Sequence, residues 1–154
     1  MGPTIDNRQR RVPVPVGAIR RAAGRALKGT GREGGCVEIA LVDDVEIRRL
    51  NRAFRGVGRR TDVLAFPLEV AEAAGGLVGQ IVISIDTAQR QSRRLGVPLG
   101  LELELLVTHG ILHLIGYDDR DPIEADFMHR RERDLLSSAG KGFPERFWEG
   151  LLHA

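Results

Sequence analysis

Apolar and polar positions along this chain alternate with two different periods, and each switch of period marks an element. Arg11–Val16 (RVPVPV) alternates apolar residues with proline, which suits a short edge strand because proline cannot donate within a sheet interior. From Gly17 to Lys28, Ile19, Ala22, Ala23, Ala26 and Leu27 recur three and four apart, the stripe of an amphipathic helix. Gly29–Gly35 is glycine-rich and reads as a loop. Val37, Ile39 and Leu41 then alternate with Glu38 and Ala40, as in a strand. Asp43 and Asp44 offer an N-cap to a helix carrying Val45, Ile47, Leu50 and Phe54.

Two β-rich runs follow, Asp62–Leu68 (DVLAFPL) and Leu77–Ile85 (LVGQIVISI), expected as neighbouring strands with a long connection. Asp86 with Gln89 resembles a capping box, and Gly96 with Pro98 closes the helix it starts. Gly100–Leu114 is an apolar helix ended by Gly116, and Glu124–Ser138 is a last, charged helix followed by Gly140. The order β-α-β-α-β-β-α-α-α predicts an α+β fold, a mixed sheet of about four strands with helices packed on it. One domain is expected over residues 1–154, with 1–10 loosely held and 139–154 as a C-terminal tail.

Composition narrows the class. A chain of 154 residues, 42% hydrophobic and 29% charged, belongs with globular rather than disordered proteins. No apolar run approaches the ~20 residues that span a bilayer, and the N-terminal residues lack a signal-peptide pattern. The single Cys36 cannot form an internal disulfide. The expectation is a cytoplasmic protein with no membrane partner. Charge is unevenly spread: residues 1–77 hold 14 Lys+Arg against 9 Asp+Glu, and residues 78–154 hold 9 against 12. Of the 23 basic residues 21 are Arg, whose planar fork suits phosphate, so nucleic acid is a plausible partner.

The chemistry concentrates in T-H-G-I-L-H-L-I-G-Y-D-D, residues 108–119. His109 and His113 stand four apart on a helix, so both rings project from one face and can bind one divalent ion. Gly116 permits the left-handed turn that ends the helix, and Asp119 follows it as a third candidate ligand. Three protein ligands leave a coordination position open, as in catalytic zinc sites. The spacing also matches the metzincin pattern H-E-x-x-H-x-x-G-x-x-H. However, Gly110 stands where a zincin-like metalloprotease needs its glutamate.

The run HGILHLIGYDD resembles the H-G-x-L-H-L-x-G-Y-D-H signature of the YbeY family of bacterial endoribonucleases and ribosomal-RNA maturation factors. The resemblance extends upstream through Leu50-Asn51-Arg52-Ala53-Phe54-Arg55-Gly56, Thr61-Asp62-Val63-Leu64-Ala65-Phe66-Pro67 and Gly79-Gln80-Ile81-Val82-Ile83, and downstream to Met128 and Glu132. It implies a cytoplasmic, zinc-dependent enzyme with one divalent ion per chain. Its implied substrate is single-stranded RNA, and its implied roles are 16S rRNA 3′-end maturation and ribosome quality control at the small subunit. It matches Arg55 to the family's arginine, and the candidate residues are then Arg55 and His109 as catalytic, Arg55 and Arg59 as substrate-binding, and His109, His113 and Asp119 as the metal set. Asp119 stands where the family has a third histidine, Gln80 where it has Asp, and Ala65 where it has Ser. A carboxylate ligand adds negative charge and a harder donor, which favours manganese or iron more than three histidines would.

Other residues near the motif have plainer readings. Asp118 is the rival ligand, Tyr117 packs in the turn, His129 is a surface residue, and Thr61 and Asp62 lead into a strand. Arg48, Arg49, Arg52, Arg59 and Arg60 surround Arg55. Two competing functions follow from the same residues. One is a ribosome assembly factor whose metal is mainly structural; the other is an Fe(II) oxygenase using two His and one carboxylate.

Overall fold

Four strands, β1 (Thr4–Asn7), β2 (Cys36–Val42), β3 (Val63–Pro67) and β4 (Val78–Ser84), form one mixed sheet in the order β1-β2-β4-β3. The computed structural model describes residues 2–54, 63–67 and 78–137. β1 runs parallel to β2, with Thr4 opposite Glu38, and β2 runs parallel to β4, with Val42 opposite Ser84. β3 is antiparallel to β4, with Val63 opposite Ile83, as the two β-rich runs predict. The fold is α+β, and the described residues form five helices: α1 (Val16–Gly29) and α2 (Asp44–Phe54) fall between strands, while α3 (Ile85–Leu95), α4 (Leu99–Leu114) and α5 (Pro122–Ser137) all follow β4.

The edge strand lies earlier than its sequence pattern suggests. Thr4–Asn7, not Arg11–Val16, pairs with β2, and so part of the N-terminal ten residues is built into the sheet. Pro13 and Pro15 have no N–H to give a ladder. Their segment instead leads into α1, where the Pro15 carbonyl accepts from Ala18 N and Ile19 N. Gln9 stands in for the missing strand partner: its Nε2 donates to Val12 O at 2.9 Å and its Oε1 accepts from Val12 N at 3.0 Å.

Period-two alternation buries both faces of the sheet. Val37, Ile39, Leu41, Val63, Ala65, Ile81 and Ile83 join the main core with residues of α1, α3, α4 and α5. Ala40, Val42, Leu64 and Val82 turn the other way and meet Ile47 and Leu50 of α2. Helix α4 is central, and every residue from Glu102 to Leu114 is buried. Two glycines set its distance from the sheet. A Cβ on Gly110 would stand 3.0 Å from the Ile81 side chain, and one on Gly79 would stand 2.7 Å from Leu114 Cδ2. Gly110 and Gly79 together therefore let α4 lie on β4.

The starts of α2 and α3 sit side by side because β2 and β4 end together. Asp43 caps α2, accepting from Glu46 N at 2.9 Å. The cap of α3 is Ser84, which accepts from Thr87 N at 3.3 Å, rather than a box built on Asp86. Asp86 instead accepts from Asp44 N and from Arg11. Asp44 accepts from Ser84 Oγ and Thr87 Oγ1, each at 2.6 Å, and pairs with Arg90 at 2.8 Å. Burial works to raise the Asp44 pKa, but these hydrogen bonds and Arg90 prevail and hold it at about 2. Acids at both helix starts also complement the helix dipoles.

Candidate metal centre

The last turns of α4 carry His109 and His113 on one face, with their Nε2 atoms 2.9 Å apart and their rings nearly perpendicular. The helix stops at Ile115, and Gly116 takes a φ of +106°, a backbone that a residue with a Cβ rarely adopts. The chain then turns back. Asp119 Oδ2 arrives 3.8 Å from His109 Nε2 and 4.0 Å from His113 Nε2. The site thus lies at the end of a buried central helix, with both histidines buried and Asp119 half-buried.

Each ring is held from behind. His113 Nδ1 donates to Tyr117 O at 3.1 Å, across the turn. His109 Nδ1 donates to Oε1 of Glu132 on α5. The other oxygen of Glu132 accepts from His129 Nδ1 at 3.2 Å. Burial alone would raise the Glu132 pKa; the charge and hydrogen bond of His109, then His129, bring it down to about 2. Burial, then the neighbouring His109, lowers the His113 pKa, which favours the neutral, ligating form of the ring.

These hydrogen bonds decide what the site can hold. With both Nδ1 atoms donating, neutral rings turn two Nε2 lone pairs toward each other at 2.9 Å. That is repulsive unless a metal cation, or a proton shared between the two nitrogens, lies between them. Asp119 Oδ1 is buried with no hydrogen-bond partner among the described residues, and Oδ2 of the same carboxylate is the oxygen nearest the two imidazoles. A buried carboxylate with an orphan oxygen in this place also suits a cation. Ligands ~2.0–2.1 Å from a tetrahedral zinc stand roughly 3.3–3.4 Å from one another. The observed separations of 2.9, 3.8 and 4.0 Å straddle that spacing. The three residues therefore fit a divalent ion bound by two nitrogens and one oxygen.

Asp118 faces elsewhere. Its Oδ1 accepts from Asp119 N and Arg120 N, and it pairs with the Arg120 side chain. Tyr117 is half-buried against the core. His129 is not a surface residue: its side chain is 19% exposed and bound to Glu132. Helical spacing held a clue to Glu132, an acid within the buried stripe Met128, Glu132, Leu135 and Leu136 of α5. Arg55, Arg59, Arg60, Thr61 and Asp62 lie outside the described residues. Arg48 and Arg49 are paired within α2, to Asp44 at 3.7 Å and Glu46 at 3.8 Å.

Comparison with known proteins points one way. The family model described as Endoribonuclease YbeY matches residues 4–140. The chain is 44% identical over 126 residues to Endoribonuclease YbeY of Anaeromyxobacter dehalogenans, covering 80% of this chain but only 65% of that relative's length. It is 40% identical over 141 residues to Endoribonuclease YbeY of Pelotomaculum thermopropionicum, covering 86% of this chain and 93% of that one. The fold is similar to the solution structure of TM1509 from Thermotoga maritima, with a TM-score of 0.58 and 25% identity over 88% of this chain and 87% of that one.

Proposed function

The chain belongs to the YbeY endoribonuclease family, and from that premise we propose that it is a metal-dependent endoribonuclease acting on single-stranded RNA. Its proposed substrate is the 3′ end of 16S rRNA in the small ribosomal subunit, with ribosome quality control as the setting and the cytoplasm as the compartment. The observation that carries this reading is the triangle of His109, His113 and Asp119, in which both ring tautomers are fixed to present Nε2.

In this reading the three residues hold one divalent ion, zinc first among the candidates. When bound, it supplies Lewis acidity toward a phosphodiester oxygen and toward water. The protein groups do the positioning. Asp119 shares a cavity of about 420 Å³ with Arg120, Asp121, Pro122, Ala125, Asp126 and His129. Its carboxylates would repel an RNA phosphate, so phosphate binding there depends on positive charge from the ion and from arginine. We assign that role to Arg55, supported by Arg59, with Arg55 offsetting charge on the phosphate as it builds up. Gly110 has no side chain to serve as a zincin base, and its place against Ile81 leaves no room for one. No single helix among the described residues is long and apolar enough to cross a membrane.

The test is cleavage of purified single-stranded and duplex RNA by the stripped and the zinc-reloaded protein, without ribosomes. Cleavage of the single strand that chelator abolishes and zinc restores is the expected result. Absence of cleavage, together with a fall in melting temperature on stripping, would assign the ion a structural role in an assembly factor instead.

A further inference from the structure

Glu132 is out of keeping with its helix. It sits in the buried stripe of α5 between Met128 and Leu135 and has no exposed surface. Removing a carboxylate from water is costly unless its oxygens are bonded. Here both are: Oε1 accepts from His109 Nδ1 and Oε2 from His129 Nδ1. His129 lies one turn earlier on the same helix, so α5 itself supplies the group that steadies its own acid.

The two histidines of α4 have different needs. His113 lies in the last turn, where its Nδ1 reaches the Tyr117 carbonyl just past the helix end. His109 lies a turn further in, where the carbonyls of α4 are engaged in helical hydrogen bonds. Its Nδ1 must find a partner on another element, and α5 provides the carboxylate. A ligating imidazole bonded in this way is fixed in tautomer and orientation and is a more basic donor. A carboxylate held at one oxygen can still swing about its last torsion; one held at both cannot.

We infer that Glu132 and His129 are positioning residues of the metal centre. Glu132 holds the His109 ring with Nε2 toward His113 and Asp119, and His129 locks Glu132 in place. The line His129–Glu132–His109 works as one unit. This rests on the proposed function for the ion and adds two residues to its site, one of which sequence alone assigns to the surface.

The test uses the full chain, stripped of metal and titrated with Zn2+ against a chromophoric chelator, with Co2+ absorption as a second readout. Glu132→Gln keeps the shape of the side chain and should weaken Zn2+ binding ~10–100-fold, the usual effect of losing such a partner. It should also shift the Co2+ ligand-field bands. His129→Leu should weaken binding by a smaller factor, roughly 3–10-fold. His129→Asn, which puts an amide N–H close to the place of Nδ1, should restore affinity to within about twofold. A role in packing alone would favour leucine over asparagine, the reverse order. The double variant Glu132→Gln/His129→Leu should bind no more weakly than Glu132→Gln alone, because the two residues act in series.

Wild-type affinity in His129→Leu, or losses that add in the double variant, would overturn the role of His129. Wild-type affinity in Glu132→Gln would overturn the whole inference while leaving the metal site standing, provided that His113→Ala abolishes binding. If His113→Ala binds as tightly as wild type, the metal site itself fails and the inference falls with it. Should Glu132→Gln not fold, the contrast between His129→Leu and His129→Asn still decides the matter.

Discussion

Asp119 owes its position to the backbone of a single turn. Gly116 with φ at +106° swings the chain back, and the Asp118 side chain pins the turn by accepting from Asp119 N at 2.7 Å. Asp119→Ala should therefore weaken zinc binding by more than the ~10–100-fold typical of an outer-layer partner, because a ligand itself is lost. Asp118→Ala should weaken it much less, because it loosens the turn without removing a candidate ligand. Chelator competition on both variants checks this, and the opposite order would move the ligand by one residue. Asp119→His should retain the ion. Its neutral ring leaves more of the metal's charge to act on water, so the activity profile should shift to lower pH.

At this scale the sequence is informative where the chemistry is local. His109, His113 and Asp119 are tied together by a helical repeat and one glycine turn, and all three meet. Glu132 is 23 residues from His109, and only the docking of α5 on α4 joins them. Helical spacing marks Glu132 as an acid in a buried stripe of α5, but no spacing rule connects it to His109. The reading of His129 as a surface residue fails for the same reason, since its burial depends on its neighbour's partner.

Among the elements, the contact of α4 with β4 controls where the histidines stand. Gly110→Glu would force a carboxylate against Ile81 in a space that already holds a Cβ only at 3.0 Å. The cost should exceed about 3 kcal/mol from overpacking and unpaired burial, or roughly 6–12 °C in melting temperature for a chain of this size. A thermal scan of the variant checks it; an unchanged midpoint would contradict the close approach. A second prediction concerns the joint between α2 and α3. The Asp44 carboxyl titrates at about 2 in the folded chain, against an ordinary value of 3.8. Its stabilising contribution is therefore complete above about pH 4 and lost as pH falls through 2. Asp44→Asn should be less stable than wild type at pH 7, and the gap should narrow between pH 4 and pH 2 in denaturant titrations.

Element types follow the hydrophobic pattern closely, because α1, β2, β3, β4 and α4 each bury a run that chooses its own period. The buried residues of α1 are Ile19, Ala22, Ala23, Ala26 and Leu27, the stripe read from spacing. β1 escapes that logic. Thr4–Asn7 is mostly exposed, and an edge strand that buries little beyond part of Ile5 leaves no alternating signature.

Across the whole molecule, charge divides into a basic first half and an acidic second half that carries the candidate ligands. Arg48 and Arg49 are engaged with acids on α2, in exposed pairs that contribute little to stability. The proposed RNA contact therefore turns on the arginines that follow. Arg55→Lys preserves charge but loses the planar fork. It should lower RNA cleavage by at least ~10-fold while leaving zinc affinity close to wild type. Equal rates in the two proteins would reduce Arg55 to one more surface charge. RNA binding should weaken as salt rises, through release of condensed counterions.

Two candidate ligands ride on the most deeply buried helix, and the third hangs from a turn beyond its end. Losing the proposed ion would then be an event of the turn and not of the fold. On that proposal its dissociation rate would be set by how often Asp119 lets go, while His109 and His113 stay spaced for recapture. Asp119→Ala should accordingly speed metal release in a stopped-flow chase far more than it slows uptake. In the stripped protein, the amides of α4 should still exchange with solvent as slowly as before.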